Sequence, residues 1–171
     1  PQLGGAVRYR LLEPLRQFAR ARLSESGELS LTRRRHAEYI LALAEAAGRD
    51  LHAPGPVMRS EQFTPEADNL RAALEWAIET QETDLALRVC AGLWMWWSRP
   101  DRQAQGLVWL EQILAMPGAD RQPLLRGRVL VGQAFLSLTH SDMATAARLA
   151  DEVCQIAQPA CDVALAAVAS S

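Results

Sequence analysis

Few residues in this chain combine a type and a spacing that could do chemistry, and the largest gap is lysine: all 18 basic residues are arginine. Without lysine there is no phosphate-loop lysine, no Schiff-base amine and no lysine general base. His36, His52 and His140 are scattered and match neither HExxH nor any paired-ligand spacing, so no metal site is expected. Cys90, Cys154 and Cys161 are an odd number without ligand spacing. Free cysteines of this kind are usually small buried hydrophobes in a reducing compartment, so the cytoplasm is the expected setting. Carboxylates are numerous, yet no local spacing singles out an acid/base pair; a pair assembled by folding stays open. The chain is therefore read as non-enzymatic, with no catalytic residue, cofactor site or metal site.

Two residue classes remain as candidate contact surfaces. Trp94, Trp96, Trp97 and Trp109, with Trp76 nearby in sequence, offer large rigid area with one donor each and could line a groove for a partner or a small-molecule ligand. Packing between helices is the favoured alternative. The second class is arginine. Residues 1 to 36 hold eight arginines against Glu13, Glu25 and Glu28, a balance of +5 in a chain whose net charge is -2. Arg8, Arg10, Arg16, Arg20, Arg33, Arg34 and Arg35 could contact nucleic acid, weakly and non-specifically at most; a solvated or interdomain face is the favoured reading. Asn69, the sole asparagine, is expected as a buried polar link.

The elements that position these residues are mostly helical. Val7, Tyr9 and Leu11 alternate with Arg8 and Arg10, which predicts a short strand. Pro14 suits the first turn of a helix whose stripe is Leu15, Phe18, Ala19 and Leu23, stopped at Gly27. A second helix, Leu31 to Gly48, carries His36, Tyr39, Ile40, Leu43 and Ala47 on one face, and a loop marked by Pro54, Gly55 and Pro56 runs to Phe63. Thr64 reads as the N-cap of a helix opened by Pro65, with Ala67, Leu70, Ala73, Leu74, Ala77 and Ile78 inward.

From Thr83 to Ser98 two faces are apolar, which predicts a helix covered on both sides. The next helix turns Gly106, Leu107, Leu110, Ile113 and Leu114 inward. Helices at Leu124 to Thr139 and Asp142 to Gln158 follow, and Pro159 is expected to interrupt before a last helical stretch. The helices of residues 83 to 114 align with those of 124 to 158 at an offset of 40, so that Arg88 meets Arg128, and Gly106 meets Ala146 as small residues at close crossings. That period lies among those of paired-helix solenoids. No apolar run approaches the ~20 residues that span a bilayer, so no membrane partner is expected.

The segments VRYRLLEPLRQFARARL, RRRHAEYILALAEAA, EADNLRAALEWAI and LALRVCAGLWMWW, in that order, resemble the region following the nucleotide-binding module in bacterial STAND-type signalling ATPases, the large LuxR-family regulators. The resemblance implies an all-α fold of antiparallel tetratricopeptide-like hairpins, an α-solenoid, preceded by a short strand and helix from a winged-helix unit. Residues 1 to 27 would be the end of that winged helix and 28 to 171 the repeat domain, both ends of the chain being cut. It further implies a sensor and protein-interaction module of a transcriptional regulator, whose partner is another protein or its own nucleotide-binding domain. A nucleic-acid-binding fragment using the basic start is the alternative. Pro14, where the family more often has threonine, and Pro100 with Asp101, in place of a glycine turn, depart from its pattern.

Overall fold

A computed structural model describes residues 12 to 49 and 61 to 169. The described residues form seven α-helices and no strand: α1 Glu13–Glu25, α2 Leu29–Arg49, α3 Ala67–Glu79, α4 Thr83–Leu93, α5 Gln103–Leu114, α6 Pro123–Thr139 and α7 Met143–Ala169. Short 3-10 turns at Glu61–Glu66, Trp96–Ser98 and Ala119–Arg121 join them. The predicted strand from Val7 to Leu11 lies outside the described residues. The chain divides into two units, Pro1–Arg35 and His36–Ser171.

In the first unit, Leu12 is extended and Pro14 stands in the opening turn of α1, where its missing N–H is no loss. Glu13 at the start pairs with Arg16 at 2.6 Å, and Arg22 near the end pairs with Glu25 at 2.8 Å. Gly27, at φ +75°, ends the helix as expected: Glu28 N–H bonds Leu23 O at 2.9 Å and Gly27 N–H bonds Ser24 O at 3.2 Å. No residue of α1 is buried. Leu15 and Phe18 of its apolar stripe remain exposed.

The second unit is a packed helical bundle in which consecutive helices run antiparallel. Thr83, opening α4, donates from Oγ1 to Pro117 O just past the end of α5 at 2.9 Å. Trp96, after α4, donates from Nε1 to Thr64 Oγ1 before α3 at 3.4 Å. α6 packs against α4, α5 and α7. The turns after α3 and α6 repeat the Gly27 pattern with Gln81 at φ +57° and Ser141 at φ +68°, residues that pay for the left-handed conformation. Glu82 N–H then bonds Ala77 O at 2.8 Å and Asp142 N–H bonds Ser137 O at 2.9 Å.

Burial follows the expected faces in α3 to α5. Leu70, Ala73, Leu74 and Ala77 are inward in α3, and α4 is covered all round except near Arg88. In α5, Gly106, Leu110 and Ile113 are buried together with Gln103, whose Nε2 donates to Leu136 O at 2.9 Å and to Thr139 Oγ1. Arg126 ties three helices: it donates to Leu114 O at 2.9 Å and pairs with Glu152 at 2.7 Å. Close crossings are made by glycine. A Cβ on Gly106 would lie 2.4 Å from Trp97 Cβ and 3.1 Å from Leu136 Cδ1, one on Gly132 2.5 Å from Trp94 Cβ, and one on Gly92 2.3 Å from Ala44 O. Ala146, the expected partner of Gly106, is half-buried in α7.

Four expectations are corrected. In α2 the buried stripe is Ala37, Ile40, Leu41, Ala44 and Gly48, and Tyr39 is 57 % exposed. The crossing with Gly92 requires small residues, so the helix turns Ala44 and Gly48 toward it and the stripe falls one residue away from the expected Tyr39, Leu43 and Ala47. Thr64 does not cap α3; a 3-10 turn containing Pro65 precedes that helix, and Thr64 Oγ1 accepts bonds from Trp96 and Arg102. Asn69 is exposed, its Nδ2 donating to Glu66 Oε2 at 2.6 Å on the same helical face. Finally, α7 continues through Pro159 to Ala169. One proline removes a single helical hydrogen bond, and the alanine-rich run after it favours resuming the helix.

Candidate functional site

The four tryptophans do not form one exposed surface. Trp97 is 1 % exposed, wedged against Gly106, and its Nε1 is buried without a hydrogen-bond partner. Trp96 is also buried, with the Arg102 guanidinium 4.6 Å over its ring. This Thr64, Trp96 and Arg102 cluster fastens the approach to α3 onto the turn between α4 and α5. Trp94 is half-buried against Gly132 and Phe135, the two rings 5.4 Å apart, and Trp109 is half-buried beside the core. Trp96 and Trp97 thus have no face to offer a ligand, and only Trp94 and Trp109 reach the surface.

Of the basic candidates, Arg8 and Arg10 lie outside the described residues. Arg16 and Arg20 are exposed on α1, Arg16 already paired with Glu13. Arg33 is half-buried, while Arg34 and Arg35 are exposed, all three on α2 within the first unit. Acidic neighbours on α1 offset part of its charge, since Arg22 is paired as well.

The residues that do converge come from three helices of the second unit. Glu45 and Gly48 of α2, Arg88, Ala91 and Gly92 of α4, and Leu125 and Arg128 of α6 line an open cleft of about 280 Å³. Spacings of three and four residues put each set on one helical face. The floor lacks side chains because Gly48 and Gly92 let two backbones meet: a Cβ on Gly48 would lie 3.0 Å from Gly92 Cα. The rim is charged. Arg88 Nε donates to Glu45 Oε1 at 2.8 Å, its NH2 group bonds the same oxygen, and NH1 reaches Asp84 Oδ2 at 3.3 Å. The hydrogen bond to Glu45, foremost, and that to Asp84 raise the Arg88 pKa above its ordinary value. Arg128 is exposed and makes no ion pair or hydrogen bond among the described residues. Among the described residues Arg88 is thus matched by Glu45 and Asp84, and the Arg128 guanidinium on the same rim is the group left to hold an anion.

No group of three or more His, Cys, Asp or Glu side chains among the described residues is placed to hold a metal ion. Cys90 is buried, and desolvation pushes its thiol pKa up; Cys154 is exposed. Among the described residues no helix is long and apolar enough to cross a membrane. Sequence reasoning paired Arg88 with Arg128 through the 40-residue offset and left the cleft unrecognised. That equal spacing was its one visible signal.

No protein-family model matches the chain, and no solved structure does. Among curated proteins it is similar to proteins provisionally named HTH-type transcriptional regulators, from Mycobacterium bovis and from two strains of Mycobacterium tuberculosis. Each is 34% identical over 142 residues, which covers 78% of this chain. The chain spans only 15% of the length of these relatives, so it is similar to one region within these large proteins.

Proposed function

We propose that the chain is a non-catalytic sensor and protein-interaction module of a signalling-ATPase transcriptional regulator of the STAND and LuxR type, acting in the cytoplasm. It relays binding of a protein partner or ligand to the nucleotide-binding domain of the same protein. The observation that carries this reading is the match to a region inside large HTH-type regulators. Residues 1 to 27 are then the end of a winged helix, and residues 28 to 171 a tetratricopeptide-like solenoid.

The repeat supports the solenoid. α4 and α6 begin at Thr83 and Pro123, α5 and α7 at Gln103 and Met143, each pair 40 residues apart. Gly92 and Gly132 share that offset, and each seats its helix on the preceding hairpin or its end. In such a stack the first helix of every hairpin lies beside the first helix of the next, which is how α2, α4 and α6 come to share a cleft. A relay also needs an element with two arrangements, and glycine-seated helix pairs can shift against one another.

Replacing Gly92 by leucine in the full-length regulator tests this reading, because the side chain forces α2 and α4 apart. Transcriptional output and nucleotide turnover should change together, while Glu75→Leu, on the exposed side of α3, changes neither. Unaltered output and turnover in the Gly92 variant would refute the relay.

A further inference from the structure

We propose that the cleft between α2, α4 and α6 binds a small organic acid, a carboxylate on a short apolar chain, with Arg128 taking the carboxylate and Leu125 flanking the chain. The assignment names a ligand for the sensor reading and rests on that reading only for its purpose. Binding itself is a property of this chain.

Three observations converge on it. The first is charge: Arg88 is satisfied by Glu45 and Asp84, whereas Arg128, on the same rim, has no anion among the described residues. The fork of a guanidinium matches a carboxylate with parallel hydrogen bonds, and such charge-assisted bonds are among the strongest available. The second is chemistry already in the cleft. Arg88 holds the Glu45 carboxylate through both Nε and NH2, so a carboxylate is the anion this rim accepts from the chain itself.

The third is size. About 280 Å³ lies at the lower edge of small-molecule sites, and a folded partner would cover far more surface. The floor of Gly48, Ala91 and Gly92 offers backbone and a methyl group, and among the described residues Leu125 is the one larger apolar residue lining the cleft. A small acid with a short hydrocarbon chain satisfies all of these features. A multiply charged anion would meet Glu45 and be repelled.

Calorimetric titration of the 171-residue chain with hexanoate and with the isosteric neutral hexanamide decides it. Hexanoate should bind and hexanamide should bind roughly tenfold more weakly or not at all, because only the anion engages the guanidinium. Arg128→Gln should weaken hexanoate about tenfold with the unliganded melting temperature unchanged, and Arg128→Lys should fall between, keeping charge without the fork. Glu45→Gln releases Arg88 and should tighten hexanoate several-fold, a gain that a merely structural pair would not give.

Equal binding of amide and acid, an Arg128→Gln variant that binds like the parent, or heats reproduced equally by sulfate would overturn the proposal. Binding of a capped aspartate-containing peptide with no response to hexanoate would overturn it in favour of a peptide groove. None of these outcomes bears on the transcription assay above, so the two readings fail separately.

Discussion

Two glycines of α6, five residues apart, should respond differently to the same substitution: Gly127→Ala stabilises the chain and Gly132→Ala does not. At Gly127 an added Cβ meets only Ile156 Cγ2 at 3.5 Å, an ordinary contact, so Gly127→Ala gains the helix propensity of alanine, about 1 kcal/mol. At Gly132 the new methyl would lie 2.5 Å from Trp94 Cβ and 2.6 Å from Trp94 Cγ. Those atoms adjoin the backbone and cannot swing aside, so the end of α4 must move. Overpacking of this kind costs ~1 to 3 kcal/mol, and the same propensity gain of about 1 kcal/mol offsets only part of it. Gly132→Ala is therefore expected to be neutral to ~2 kcal/mol destabilising, and the two variants to differ by ~1 to 3 kcal/mol. Gly92→Ala should be worse than either, because its obstacle is the Ala44 carbonyl, 2.3 Å from the new atom. Urea denaturation with a common slope measures all three. Equal stabilisation at Gly127 and Gly132 would refute the packing of α6 on Trp94.

Gln81→Gly and Ser141→Gly should each stabilise the chain by ~0.5 kcal/mol, the relief of a left-handed non-glycine residue less the added freedom of the unfolded chain; thermal denaturation checks the sign. Asp142 accepts the Thr145 N–H at 3.0 Å where α7 begins, and that backbone hydrogen bond chiefly lowers its pKa below the usual 3.8. A carboxyl whose folded pKa is depressed contributes fully above its unfolded value and loses the contribution as pH falls through the folded one. Asp142→Ala should thus lower the melting temperature at neutral pH, with a difference from the parent that shrinks once the medium is more acidic than pH 3.8.

Local signals in the sequence carried most of the fold. The Gly27 stop, the stripe Leu70, Ala73, Leu74 and Ala77, and the two-faced burial of α4 all follow from period and turn chemistry, which act within a few residues. What escaped depends on distant partners. The inward face of α2 was set by Gly92, more than 40 residues away, and Thr64 was drawn from its cap position by Trp96 and Arg102. The turns after α3 and α6 fall where the helical pattern breaks, but the left-handed backbone at Gln81 and Ser141 was not visible because neither is the glycine such turns favour. The tryptophans were conspicuous by type, yet the bundle uses Trp96 and Trp97 as filling for crossings that glycine opens. The cleft needs residues 45, 88 and 128 together, and only the equal spacing of Arg88 and Arg128 hinted at a shared face.

Hydrogen–deuterium exchange on the full-length regulator, with and without bound nucleotide, tests the proposed relay most directly. Coupling between sites is reciprocal, so a module that signals to the nucleotide-binding domain must itself respond when that domain is filled. The account predicts altered protection in α2, α4 and α6, concentrated around Gly48, Gly92 and Arg128, when nucleotide binds. Identical exchange throughout residues 36 to 158 in the two states would contradict it.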